Sequence, residues 1–141
     1  AGTTTIETEV YNHNFFVMDQ QATGPDFIVK FPFAPQGEFK GKTDNGAIDG
    51  KNIVYNDVIS KGEFFAVSPL TGYGTTTSDY DLRVENTKTG AGVRIIGDKP
   101  IVKFIYWSAA ATLCPEPYIK VKVDPNKEMK WSIRYEFYST F

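Results

Sequence analysis

Alternation with a period of two constrains this chain more than any other feature. In the C-terminal run Met129, Trp131, Ile133, Tyr135 and Phe137 fall on one face and Lys130, Ser132, Arg134 and Glu136 on the other. Successive side chains point to opposite faces in an extended strand, so the run reads as a strand with one dry and one wet side. The pattern recurs at Tyr80, Leu82 and Val84 against Asp79, Asp81, Arg83 and Glu85, and at Ile119, Val121 and Val123 against Lys120 and Lys122. Further strands are expected over residues 4–11, 15–18, 27–33, 53–59, 63–68, 93–96 and 101–107. Turn chemistry separates them, at Gly24-Pro25-Asp26, Pro35-Gln36-Gly37, Asp44-Asn45-Gly46, Lys61-Gly62, Gly72-Tyr73-Gly74, Thr89 to Gly92 and Asp124-Pro125-Asn126. Punctuation about every 8–12 residues is the signature of an antiparallel sandwich or barrel. Only Ser108 to Cys114, with three alanines, has local helical propensity. The expected fold is all-β: one antiparallel β-sandwich of about ten short strands, with residues 1–141 as a single domain.

Such a fold stands on packing. Cys114 is the one cysteine, which excludes an intramolecular disulfide, and with His13 as the one histidine a Cys/His zinc site reads as out of reach. A chain of 141 residues with 11 Phe, 8 Tyr and 2 Trp and a net charge of −2 has the apolar surface to offset its ordering entropy, so disorder is excluded. Its 15 Lys and Arg are outnumbered by 17 Asp and Glu, which disfavours a nucleic-acid partner. No stretch approaches the roughly 18 apolar residues of a spanning helix, no signal peptide is visible, and Ala1-Gly2-Thr3 reads as a trimmed or processed start.

Catalytic signatures are absent: no G-x-S-x-G, H-E-x-x-H or Walker loop, and a single histidine for acid–base work. No catalytic residue, cofactor or metal is nominated, and the chain reads as a non-enzyme. His13, between Asn12 and Asn14, reads as a turn residue, and Cys114 as a small buried or loop thiol with no neighbouring cation to activate it. Gly72-Tyr73-Gly74 lacks the third glycine and following helix of a nucleotide loop. Asp44 to Gly50 has oxygen ligands without calcium-loop spacing, and reads as a polar hairpin. Glu7 with Glu9, and Lys120 with Lys122, read as solvated strand faces.

The unexplained residues are aromatic. Phe64, Tyr80, Leu82, Trp131 and Tyr135 fall on expected dry faces, but Tyr73 lies in a Gly/Thr loop, Tyr106-Trp107 at a strand end and Tyr118 beside Pro117. Neighbours on a strand point to opposite faces, so Tyr106 and Trp107 are both core only if both faces are covered. Exposed Tyr and Trp suit a membrane interface or a sugar ring, each having an apolar body and a polar tip.

From about Gly37 to Phe137 the order of motifs resembles the aegerolysins, small acidic β-sandwich proteins of fungi and bacteria. Lys61-Gly62-Glu63 followed by Phe65-Ala66-Val67 is similar to their x-pGE-x-x-x-V turn and strand, and Gly72 to Leu82 to their G…GT-x-G-x-F-D-L segment. Phe104 to Trp107 is similar to their F-Y-W, and Lys130 to Tyr135 to their closing K-W-x-I-x-Y. Three departures stand out. Ser108 to Leu113 separate Trp107 from Cys114-Pro115, where the family runs Trp into Asp-Cys-Pro-Trp, and Glu116 replaces the second Trp. The glycine after Gly-Thr-x is also replaced, by Thr77.

The resemblance implies a protein secreted or released to act at membrane surfaces. It would recognise membrane lipids of the sphingolipid type without catalysis, often as the binding half of a two-component pore with a perforin-like partner. Trp107, Tyr106, Tyr73 and Tyr118 are then the expected ligand-binding residues. Two other readings stand beside it. One is a lectin-like carbohydrate-binding sandwich, with Trp107 or Tyr118 stacking on a sugar and Asp44, Asn45 or Asp49 bonding its hydroxyls. The other is a structural or adhesin-type subunit whose Thr3-Thr4-Thr5 start is an exchangeable edge strand.

Overall fold

A computed structural model describes residues 2–141. It contains eleven strands: β1 (Ile6–Val10), β2 (Phe27–Lys30), β3 (Gln36–Gly41), β4 (Gly46–Asp49), β5 (Asn52–Tyr55), β6 (Phe64–Thr71), β7 (Asp81–Asn86), β8 (Ala91–Gly97), β9 (Lys103–Ala109), β10 (Thr112–Val123) and β11 (Ile133–Ser139). A single 3-10 turn at Thr77–Asp79 is the only helical element among the described residues. All strand pairs are antiparallel, and they form two sheets: five strands in the order β1-β10-β9-β6-β3 and six in the order β11-β8-β7-β2-β5-β4.

The dry faces of the two sheets meet in one core. Phe27 and Val29, Ile53 and Tyr55, Leu82 and Val84, and Val93 and Ile95 come from the six-stranded sheet; Phe65 and Val67, Phe104 and Tyr106, Ile119 and Val121 face them from the other. Burying each of these large side chains contributes about 1.5–3 kcal/mol. Two phenols meet inside this core, where the Tyr55 and Tyr106 hydroxyls bond each other across the sheets. The Ser108 hydroxyl beside them donates to the Phe65 carbonyl at 3.0 Å. Burial pushes the Tyr55 and Tyr106 phenols far above their ordinary range, so they stay neutral donors and acceptors.

Where the structure departs from local expectation, tertiary pairing is the cause. Residues 108–114 are not helical: Ala110-Ala111 is the turn of the β9–β10 hairpin, closed by Thr112 opposite Ala109, so backbone pairing overrides a weak alanine preference. Pro35-Gln36-Gly37 leads into β3 instead of ending in a turn, and Gly46 to Asp49, read as loop, is strand β4 paired with β5. Gly46 has a packing reason to lack a side chain, because a Cβ there would lie 2.5 Å from the Phe65 ring. The C-terminal strand begins only at Ile133, leaving Trp131 41% exposed, and Phe137 is 80% exposed at the sheet's open edge. Phe64, assigned to a dry face, is 40% exposed because its neighbour Phe65 takes the core position.

The wet face of the six-stranded sheet carries a charge network. Arg94 grips Asp81 with a two-pronged fork, both bonds 2.7 Å, and reaches Glu136 at 3.2 Å. Glu85 is nearly buried, held by the Lys30 ammonium at 2.6 Å and the Tyr138 hydroxyl at 2.7 Å. Burial alone would raise its carboxyl pKa, but the bonds from Lys30 and Tyr138 and the positive charges of Lys30 and Arg83 together outweigh burial and hold it below the usual range. A depressed folded pKa contributes stability that is present above the unfolded value of about 4.3 and is lost as pH falls through the folded value. Glu85→Gln is therefore expected to lower Tm at pH 7 and to flatten the fall of Tm below pH 5. Parallel calorimetric pH series with equal acid slopes for the two proteins would refute this. Tyr106→Phe removes the Tyr55 hydroxyl's partner across the sheets and is expected to cost about 1–3 kcal/mol in urea unfolding.

Candidate functional site

The site begins with a proline effect. β1 pairs with the end of β10, from Ile6 opposite Val123 to Val10 opposite Ile119, and then the ladder stops. It reappears once, where Phe16 and Leu113 exchange both backbone bonds at 3.1 Å. The register is the same before and after the gap, and Pro115 and Pro117 lie within it. The Leu113 N–H points toward this edge, and alternation turns positions 115 and 117 the same way, where proline has no N–H to donate. Residues 11–15 thus run beside β10 in register without the ladder.

Side chains hold this stretch in place. On its inner side the Asn12 and Asn14 amides both donate to the Tyr135 hydroxyl, at 2.9 and 2.6 Å, tying the edges of the two sheets together. On its outer side Tyr11 stacks on Tyr118 with centroids 4.1 Å apart, and His13 stacks on Phe15 at 4.5 Å. Phe15 meets Trp107 edge-on at 6.5 Å. Lys103 places its ammonium 4.6 Å from the centre of the Tyr118 ring. Burial, then the adjoining Tyr11 hydroxyl, pushes the Tyr118 phenol up to about 12.

Below these rings the His13 Nε2 lies 3.2 Å from Glu116 Oε1. Glu116 is buried, which raises its carboxyl pKa, with His13 partly offsetting the effect. Cys114, two positions along the same face of β10, is buried in the sheet and its thiol is pushed up to about 11, chiefly by desolvation. A shallow depression of about 340 Å³ opens here, lined by His13, Phe15, Ile105, Trp107 and Glu116.

Of the four expected ligand-binding aromatics, Trp107 and Tyr118 share this face. Tyr106 does not: it points inward, is fully buried and bonds Tyr55, so it belongs to the core. Tyr73 is half-buried at the end of β6, with its ring edge-on to Phe33. Sequence reading missed Tyr11, His13 and Phe15 as members of the face. Their alternate spacing was the available signal, but the polar residues between them read as a turn. Asp44, Asn45 and Asp49 lie away from these residues on the β4 side of the other sheet, with Asn45 buried and Asp49 opposite Asn52. His13 and Cys114, read as too few for a metal site, are brought together with Glu116.

The outward positions of the N-terminal stretch form a gradient. Glu7 is paired with Lys120 at 2.5 Å, then come Tyr11 and His13, then Phe15 and Val17, which are 59% and 57% exposed. Past Val17 a second depression of about 540 Å³ is lined by Val17, Gln20, Gln21, Ala22, Lys61, Ala110 and Ala111. No helix among the described residues is long and apolar enough to cross a membrane. No family model, curated protein or solved structure matches the chain.

Pro115→Ala restores an N–H facing Asn14. Its new amide is expected to exchange with solvent at least tenfold more slowly than an exposed amide, as the ladder closes. Free exchange at residue 115 would show that the gap has another cause.

Proposed function

We propose that this protein binds the surface of a lipid bilayer, without catalysis, through the β9–β10 hairpin end of its five-stranded sheet. The outward gradient carries the reading: charged pairs at Glu7, aromatic rings in the middle, then exposed Phe15 beside Trp107 and exposed Val17 beside Ala110 and Ala111. That order matches a bilayer interface, where apolar side chains enter the acyl boundary, amphipathic rings sit at headgroup level and charges stay in water. A net charge of −2 gives little attraction to anionic lipid, so selectivity rests on a headgroup. The resemblance to aegerolysins makes a sphingolipid the first candidate and a perforin-like protein the candidate partner. Trp107 and Tyr118 keep the roles assigned to them, joined by Tyr11 and Phe15.

The test is co-sedimentation with vesicles of phosphatidylcholine alone and with added sphingomyelin, ceramide phosphoethanolamine, glycolipid or anionic lipid. Selective pelleting with one sphingolipid is expected. Replacing Phe15 and Val17 together by serine removes two side chains worth about 1.5–3 kcal/mol each when buried, so binding should fall at least tenfold while Tm moves by only a few degrees. Pelleting with none of the mixtures ends this reading. The depression between Trp107 and Glu116 would then direct attention to saccharides, tested on a glycan panel.

A further inference from the structure

We propose that His13, Cys114 and Glu116 form a zinc site with three protein ligands and one open position. The chain's one histidine and one cysteine are distant in sequence, yet the register of the N-terminal stretch against β10 sets His13 opposite Glu116 and one step from Cys114. Their donor atoms, an imidazole nitrogen, a thiol sulfur and a carboxylate oxygen, all lie within 4.8 Å of one another. Bonds of about 2.0–2.3 Å to a tetrahedral ion put ligand atoms roughly 3.3–3.8 Å apart. The 3.2 Å between His13 Nε2 and Glu116 Oε1 is already at that spacing. Bringing the three donors to that spacing calls for small side-chain rotations, and His13 stands on a stretch whose backbone lacks ladder bonds.

The chemistry favours zinc over harder ions. Sulfur and imidazole select a borderline metal, whereas calcium and magnesium require oxygen sets. Thiolate and carboxylate together carry two negative charges, matching a divalent cation with neutral imidazole as the third ligand. The Thr112 hydroxyl, 3.9 Å from the sulfur, is placed to support a thiolate from outside the ligand set. On its solvent side the group opens into the depression beside Trp107 and Phe15, leaving room for water or one further ligand atom. Metal binding requires thiol deprotonation, so one proton leaves Cys114 to solvent for each ion bound.

Zinc binding here requires no lipid, and its test uses no vesicles. Chelator-treated protein is titrated with zinc chloride and, separately, with cobalt(II), whose thiolate complexes have a strong near-ultraviolet charge-transfer band. One ion per chain, that band, and a Tm increase of roughly 5–10 °C at a hundredfold excess over Kd, reversed by chelator, are expected. His13→Ala, at an exposed position, should weaken zinc at least tenfold, and Cys114→Ser should abolish the cobalt band. Glu7→Gln should change neither. The absence of stoichiometric binding, or binding unchanged in His13→Ala, overturns the proposal even if Cys114→Ser fails to fold.

Discussion

Proline has no N–H to give, and the outer face of this sandwich is organised around that lack at two positions. β10 is the longest strand, twelve residues, and its edge is offered to the N-terminal stretch along nearly its whole length. With a full ladder, that stretch would be a continuous strand whose position was set by backbone bonds alone. Pro115 and Pro117 remove the donors in the middle, so residues 11–15 are placed by their side chains. The register survives because strand pairing at one end and the Phe16–Leu113 bridge at the other leave the intervening chain one length to span.

That substitution of side-chain for backbone contacts explains the unusual content of the face. Outer positions on β9 and β10 would normally be wet, yet Cys114 and Glu116 are buried and Trp107 is half covered. A buried carboxylate needs a partner, and His13 is the one the register supplies. The inner side of the same stretch serves the fold, where Asn12 and Asn14 fasten the open edge of the sandwich to Tyr135. One short segment thus closes an edge with its even-numbered residues and presents chemistry with its odd-numbered ones.

The core follows the opposite logic. There, backbone ladders set the strand positions and buried hydroxyls find partners within the sheets, as in the Tyr55–Tyr106 contact and the Ser108 bond to Phe65. Tyr106 and Trp107 mark the boundary between the two regimes. They are adjacent residues of one strand, and alternation sends one into the core and the other to the surface.

The all-β class and the alternating strand segments, such as Asp81–Asn86 and the 119–123 end of β10, were legible in the residues because period-two patterning is a local property. The charged face of Glu7, Lys120 and Lys122 was legible for the same reason. β3 and β4 were not, since Gln36–Gly41 and Gly46–Asp49 contain glycines and little apolar stripe and exist as strands through their neighbours. Trp107 and Tyr118 stood out as surplus aromatics, but which of Tyr106 and Trp107 faces water depends on which side the second sheet covers. The order of residues by itself determined an all-β chain, through its period-two pattern, with aromatic residues at positions the alternating dry faces do not account for. Only the tertiary structure decided that His13, Cys114 and Glu116 meet, because cross-strand register is set by distant pairing and appears in no local pattern.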